Sequence, residues 1–398
     1  MFSEALQIAF LLYILIMSVL ITFYNSALNM CLYYGLLGIW FYYFTFVNKA
    51  KIKKGLVGIL MYGFLTLGST IINGIFSGNE EIVQMIWRNV RILLTLWIGF
   101  CFADNTEAKV RKNFYILIYI LILISIAYGF YQKSAGIGWG YNSRMDSFFG
   151  HPIVYGSILI IEFWLTSYLV DSVVLRCGLY IYILLGLLST GSRSSWISLA
   201  VTFVFSIIKS NGLTRRKMWF VLVGTICAVF FTFTEQFEII YETVFGRFSG
   251  MMQQGSAVQR LGSYLYIFIR LLNQNPLQII FGCGEGAASD AMIQTVISIQ
   301  SFATTDSQYL TVLYNYGFTG LAMLLYFGVS VIKRYFSESD TPEIAMLSVS
   351  LIGLMITAVF YDLYGWLSIS TLCMLFAGMY ICIRHKQAWK PLTVDTDT

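Results

Sequence analysis

The sequence predicts an all-α, polytopic transmembrane bundle of about twelve helices, and three observations carry that prediction. Of 398 residues, 58% are hydrophobic and only 11% are charged, against roughly 25% charged in soluble domains. Apolar runs of about 20 residues recur along the whole chain, each long enough to cross a hydrocarbon layer of about 30 Å at 1.5 Å per residue. The basic residues segregate into alternate gaps between those runs. No stretch is left over for a soluble domain, so 1–398 reads as one integral membrane domain.

The first run, 5–23, lacks a small-residue cleavage site and is followed at once by another span, so it reads as a retained helix rather than a signal peptide. Spans 27–47 and 55–77 flank the basic stretch Lys49-Ala50-Lys51-Ile52-Lys53-Lys54. Span 82–103 holds two arginines, and 114–132 follows the basic cluster Lys109 to Lys112. Span 151–170 opens on His151-Pro152, with proline where its missing N–H costs nothing. Spans 173–190 and 195–208 are short and joined by Gly191-Ser192-Arg193-Ser194. Span 218–234 follows Arg215-Arg216-Lys217, and 308–332, 345–361 and 364–383 complete the set. The seven cysteines form no CxxC pair and no Cys/His cluster, which supports neither a metal site nor a disulfide framework.

Orientation follows from the positive-inside rule. Odd-numbered gaps hold six of the 25 basic residues, even-numbered gaps and the C-terminal tail sixteen, and Arg88, Arg91 and Arg176 lie within spans. Both termini are therefore expected in the cytoplasm, with two outer loops of note, 133–150 and the large loop 235–307. Loops of the second length are usually functional.

The two basic residue types separate. Of thirteen arginines, seven lie on the outer side or in the outer half of a span: Arg88, Arg91, Arg144, Arg193, Arg247, Arg260 and Arg270. Of twelve lysines only Lys133 does. Topology selects against positive charge on that side, so persistence as arginine points to a planar two-pronged donor, which binds phosphate bidentately and stays charged in a partly dry site. For Arg144, Arg247 and Arg270 plain surface exposure is an adequate account. Arg88 and Arg91 share a helix face, at depths of roughly 9 and 13 Å from the outer end. An intramembrane charge marks a functional site by default, with snorkelling to the headgroups as the bland alternative.

Five further features stand out. His151 is either a helix cap or a site residue. Gln259-Arg260-Leu261 begins an amphipathic stretch with Leu261, Leu265, Phe268 and Leu272 at helical spacing, able to lie on the outer leaflet or cover a cavity. Gly282-Cys283-Gly284-Glu285-Gly286 then breaks it, as a tight turn or as a backbone cradle for phosphate. Asp306 precedes the helix at 308 and is open to two readings, an N-cap and a general base at the outer mouth, with Tyr309 three residues on. Glu162, inside the sixth span, calls for a buried donor as partner.

Phe149-Gly150-His151-Pro152, Thr190-Gly191-Ser192-Arg193-Ser194-Ser195-Trp196, Arg260 followed by a helix and Gly282-Cys283-Gly284, and Asp306-Ser307-Gln308-Tyr309-Leu310 with Tyr316-Gly317 occur in that order. In order and topology, from about 80 to 320, the chain resembles the O-antigen polymerase and O-antigen ligase superfamily of bacterial inner membranes. The resemblance implies a multi-pass protein of the cytoplasmic membrane and a metal-independent glycosyltransferase, needing no cofactor, that acts at the outer face on undecaprenyl-diphosphate-linked oligosaccharides. It also implies partners in the same pathway, a flippase and a chain-length regulator, and no nucleic acid. Polymerases of this kind join repeat units, whereas ligases move the finished glycan onto lipid A core. The ligases carry a histidine just before the helix that follows the large loop, where this chain has Asp306, and that favours the polymerase.

On this reading Arg193 and Arg260 stabilise the departing diphosphate, with Arg88 and Arg91 as a second pair, and Asp306 serves the acceptor hydroxyl as base with inversion at the anomeric carbon. His151 and Tyr309 help bind substrate, and Trp139, Tyr141 and Tyr264 are available to stack on sugars or to anchor the interface. A lipid-linked oligosaccharide transporter or flippase is the rival from another class. It calls for charges near the bilayer midplane, repeats and broken helices. A scaffold for glycan assembly is a third reading, and it would tolerate loss of every outer arginine.

Overall fold

An apolar segment in lipid must satisfy its backbone internally, and the helix does so within one segment. The computed structural model of the chain describes residues 4–23, 27–47, 54–77, 81–139, 144–209, 255–293, 304–337 and 341–388. The chain is an all-helical polytopic membrane protein. Its helices are α1 (Glu4–Phe23), α2 (Ala27–Tyr42), α3 (Lys54–Ser77), α4 (Ile82–Asn105), α5 (Ala108–Ser134), α6 (Pro152–Leu169), α7 (Val173–Thr190), α8 (Arg193–Lys209), α9 (Gly255–Leu272), α10 (Pro276–Phe281), α11 (Ala287–Ile293), α12 (Gln308–Tyr335), α13 (Pro342–Val359) and α14 (Leu367–Ala388). Nine of them, α1, α3 to α7 and α12 to α14, are long and apolar enough among the described residues to cross a membrane. Helix α2 has 16 residues and continues into a π-helical turn, Tyr43–Val47, while α8 has 17. The span expected at 218–234 lies outside the described residues.

The expected boundaries differ most at α5, which starts at Ala108 rather than 114. The basic stretch before it is helical because Arg111 is not a solvated loop residue. It is buried, and its Nε and a terminal nitrogen donate to the two oxygens of Glu343 on α13 at 2.7 and 2.8 Å. Tyr115 donates to the same carboxylate at 3.0 Å. Helix α13 begins at Pro342, preceded by Thr341, whose hydroxyl accepts the N–H of Ile344.

Small residues set the closest crossings, as expected where lipid offers no hydrophobic gradient between helices. A Cβ on Gly378 of α14 would lie 2.1 Å from the Leu96 carbonyl oxygen of α4, and one on Gly99 of α4 would lie 2.3 Å from that of Leu375. Helix α6 is apolar all round and buried from Pro152 to Thr166, the pattern of a central helix. It packs on α13 and α8, where Gly353 faces Ile160 and Ser198.

The described part of the large loop does not all lie on the surface. Helix α12 is interrupted at Gly317 (φ 67°, ψ −168°). Its carbonyls at Tyr314 and Asn315 accept the N–H groups of Cys283 and Gly284 at 2.9 and 2.8 Å. Gly282 has no room for a Cβ, which would fall 2.2 Å from the Asn315 oxygen. Gly284 lies against Ser69, Thr70 and Asn73 of α3. Ser69 is eight residues short of the end of α3, so the turn sits roughly 12 Å below that end.

Candidate functional site

Four chain segments meet at one end of the bundle, the end the basic-residue pattern predicts to be outer: the turn before α6, the first part of α9, the residues before α12, and the 360–366 connection between α13 and α14. Arg260 and Asp306 form its centre, with Nε 3.3 Å from Oδ2. The side chain of Asp306 is 8% exposed and that of Arg260 25%. The carboxylate is held inside while the guanidinium keeps part of its fork toward solvent. Ser307 rather than Asp306 is the N-cap of α12. Asp306 takes a left-handed conformation (φ 53°), its N–H bonded to the Thr304 hydroxyl at 3.2 Å, and its carboxylate points to Arg260 instead of capping. Burial raises its pKa above the ordinary 3.8, and the charge and hydrogen bond of Arg260 oppose that rise.

His151 is the N-cap of α6, its Nδ1 accepting the N–H of Ile153 at 3.2 Å. That bond assigns the ring proton to Nε2 in the neutral form. The ring stacks on Tyr361 at 4.9 Å, lies 5.2 Å from Trp366, and meets the edge of Trp139 at 4.9 Å. Burial, assisted by the charges of Arg144 and Arg260, lowers its pKa to about 4. Arg144 is fixed by a backbone bridge to Trp139 and by its Nε on the Thr190 carbonyl at 2.8 Å.

The other expected residues divide. Arg193 is half-buried at the first turn of α8. It follows a hydroxyl cluster in which Ser192 Oγ bonds Ser195 Oγ at 2.8 Å, and Ser195 packs on Gly156, one turn below the start of α6. Arg193 thus belongs to the same end of the bundle. Arg91 donates to the Tyr364 carbonyl at 3.2 Å, while Gln308 accepts the Tyr364 N–H at 2.7 Å. These two bonds hold the connection that carries Tyr361. Arg88 points elsewhere and is exposed, with its charge acting on Asp290 of α11. Tyr309 is bonded to the Met355 carbonyl at 3.1 Å, and Tyr264 to that of Val359 at 2.6 Å. Arg270 donates to the Tyr266 hydroxyl at 2.5 Å. Glu162 is fully buried, and neither carboxylate oxygen has a hydrogen-bond partner among the described residues. The donor expected for it is absent there. Arg247 and Tyr141 lie outside the described residues.

The amides of the glycine-rich turn are occupied: Cys283 and Gly284 on α12, and Glu285 on the Thr70 hydroxyl at 3.1 Å. No phosphate cradle forms from those three groups, and the turn is a packing device.

Sequence reasoning missed Tyr361, Asp362 and Trp366: spans 345–361 and 364–383 take in Tyr361 and Trp366 and leave only 362–363 between them, whereas the helices end at Val359 and resume at Leu367. The signal was an acid among three aromatics in Tyr361-Asp362-Leu363-Tyr364-Gly365-Trp366 on the outer side. Asp362 accepts from the Thr311 hydroxyl at 3.1 Å, and Thr311 meets Thr305 at 2.8 Å. A hydroxyl chain therefore runs from Asp362 to the residue before Asp306. Burial, with the charge of Glu285 adding to it, raises the Asp362 pKa to about 6.

Fold and site together define a multi-pass helical membrane protein that gathers arginines, a carboxylate and aromatic rings at one end of its bundle. Residues 178–325 match the family model described as O-Antigen ligase, so this part of the chain is similar to the O-antigen ligase and polymerase superfamily. That match supports a glycosyl-transferring enzyme of ligase or polymerase type. No curated protein matches the chain.

Proposed function

We propose that the protein is a polysaccharide polymerase joining undecaprenyl-diphosphate-linked oligosaccharide repeat units at the outer face of the bacterial cytoplasmic membrane. The observation that carries this reading is the Arg260–Asp306 pair, a cation and a carboxylate of raised pKa side by side and close to Tyr361. Arginine has five N–H donors, and one bond to Asp306 leaves the rest for a diphosphate. In the reaction the acceptor hydroxyl attacks the anomeric carbon while the bond from that carbon to the diphosphate oxygen breaks. The electron pair leaves with the diphosphate, whose growing charge the guanidinium stabilises, more strongly where water is scarce. The hydroxyl proton passes to Asp306, whose elevated pKa brings it nearer the working pH, as suits a general base. Attack opposite the leaving group inverts the anomeric centre. Arg193 and Arg144 add positive charge at the same end, and the exposed ring of Trp139 and the half-buried ring of Trp366 offer surface for sugars.

In a strain lacking the gene, wild type restores long glycan chains. Arg260→Lys keeps the charge but loses the fork, and Asp306→Asn loses the base, so each should leave only single repeat units. Full-length chains from Arg260→Lys at normal protein level would refute the clamp. The ligase is the second reading, favoured by the description of the matching family model. It requires the deletion strain to accumulate long lipid-linked polymer that is never attached to lipid A core.

A further inference from the structure

A polar cavity of about 330 Å³ opens between α3, α4 and the α9–α12 region. Arg270, Gln274, Gln278, Asn73, Glu285 and Asp290 line it. Arg270 lies ten residues along α9 from Arg260, roughly 15 Å by helical rise, so this cavity is separate from the Arg260–Asp306 pair.

Its hydrogen-bonding balance is uneven. Glu285 receives the Asn315 amide at 3.1 Å and the Tyr316 hydroxyl at 2.5 Å, both on Oε2, and Oε1 takes no donor among the described residues. Gln274 donates to the Tyr314 hydroxyl at 3.4 Å while its carbonyl oxygen has no donor among the described residues. Asp290 is near Arg88 and Glu81 by charge, and no described side chain donates to it. Arg270 is engaged with Tyr266. Among the described lining residues acceptors therefore outnumber donors, and the lining itself carries two carboxylates and one guanidinium, with Arg88 and Glu81 acting on Asp290 from beside it. That lining repels a second phosphate. Among the described residues no three His, Cys, Asp or Glu side chains converge as metal ligands. A neutral molecule rich in hydroxyl donors satisfies such a surface. The volume is at the lower end of the roughly 300–1,000 Å³ range of small-molecule sites, room for a single sugar ring, and Met85 and Tyr314 supply apolar wall.

We infer that this cavity is a carbohydrate subsite, holding a neutral sugar ring of the glycan through hydroxyl donation to Glu285, Gln274 and Asp290. The identity of the parent glycan rests on the glycosyl-transfer reading, whereas binding of a free sugar does not.

Saturation-transfer difference NMR on the full chain in nanodiscs, with D-glucose, D-galactose, L-rhamnose and N-acetyl-D-glucosamine as probes, tests it. At least one probe should bind. Gln274→Ala removes an acceptor and Ala287→Leu fills the cavity, so each should weaken that binding at least about tenfold, the equivalent of 1.4 kcal/mol. Both variants should keep the wild-type melting temperature. Asp306→Asn should bind the probe as wild type does, and inorganic pyrophosphate should not displace it. No signal from any probe, a signal that survives both variants, or displacement by pyrophosphate would overturn the subsite. Normal glycan chains from Arg260→Lys would instead sink the polymerase mechanism and leave sugar binding standing.

Discussion

His151 shows how little room one imidazole has at the outer end. With Nδ1 accepting from Ile153 and rings on three sides, its pKa is lowered from 6.5 to about 4. As pH falls the unfolded chain takes up the proton first, so the neutral ring's contribution is complete above 6.5 and lost as pH drops through about 4. The melting temperature of the purified protein should decline across that window. His151→Asn, which keeps a capping side chain, should flatten the decline, and an unaltered slope would mean the ring is hydrated. The arginines could be singled out by residue type, but their division of labour could not. Arg260 turns to Asp306, Arg91 to a backbone carbonyl and Arg88 to Asp290. Spacing in a helix gives a shared face, while partners arrive from α9, α11 and the 360–366 connection, far away in sequence.

At the scale of elements, helix positions were legible because each span is a long apolar run closed by basic or glycine-containing breaks, and 173–190 coincides with α7. The break in α12 was not legible. Tyr316-Gly317 reads as one more small residue in an apolar stretch until Cys283 and Gly284 are seen bonding the carbonyls around it. Transporters also break helices, in repeated pairs near the midplane. Here the break seats the turn between α10 and α11 beside the sugar cavity. The α4–α14 crossing gives a direct test of small-residue packing. Gly378→Ala would drive a methyl to 2.1 Å from the Leu96 oxygen, whereas Gly178→Ala meets nothing within 4 Å. The first should destabilise by about 1–3 kcal/mol or more, read as a lower melting temperature in detergent, and the second should leave melting unchanged. Equal behaviour of the two would refute the crossing.

Across the whole molecule, the two ends do different work. The end that carries Arg111 and Glu343 is locked by a bidentate ion pair whose side chains are 9% and 7% exposed. Removing one partner strands the other charge, at a cost of about 3–5 kcal/mol. Arg111→Met should therefore lower thermal stability sharply, and adding Glu343→Leu should recover most of it. A double variant no better than the single would argue against a pair. At the opposite end lies the candidate site, on the first turns of helices and the connections between them. By itself the sequence determined the class of protein, the approximate positions of most described helices and the asymmetry of arginine, because lipid imposes long apolar runs and topology penalises outer cations. Only the tertiary structure decided which arginine meets Asp306, that Tyr361 and Trp366 cover His151, and that the glycine-rich turn supports a broken helix. Those are contacts between segments tens to hundreds of residues apart, and no local pattern encodes them.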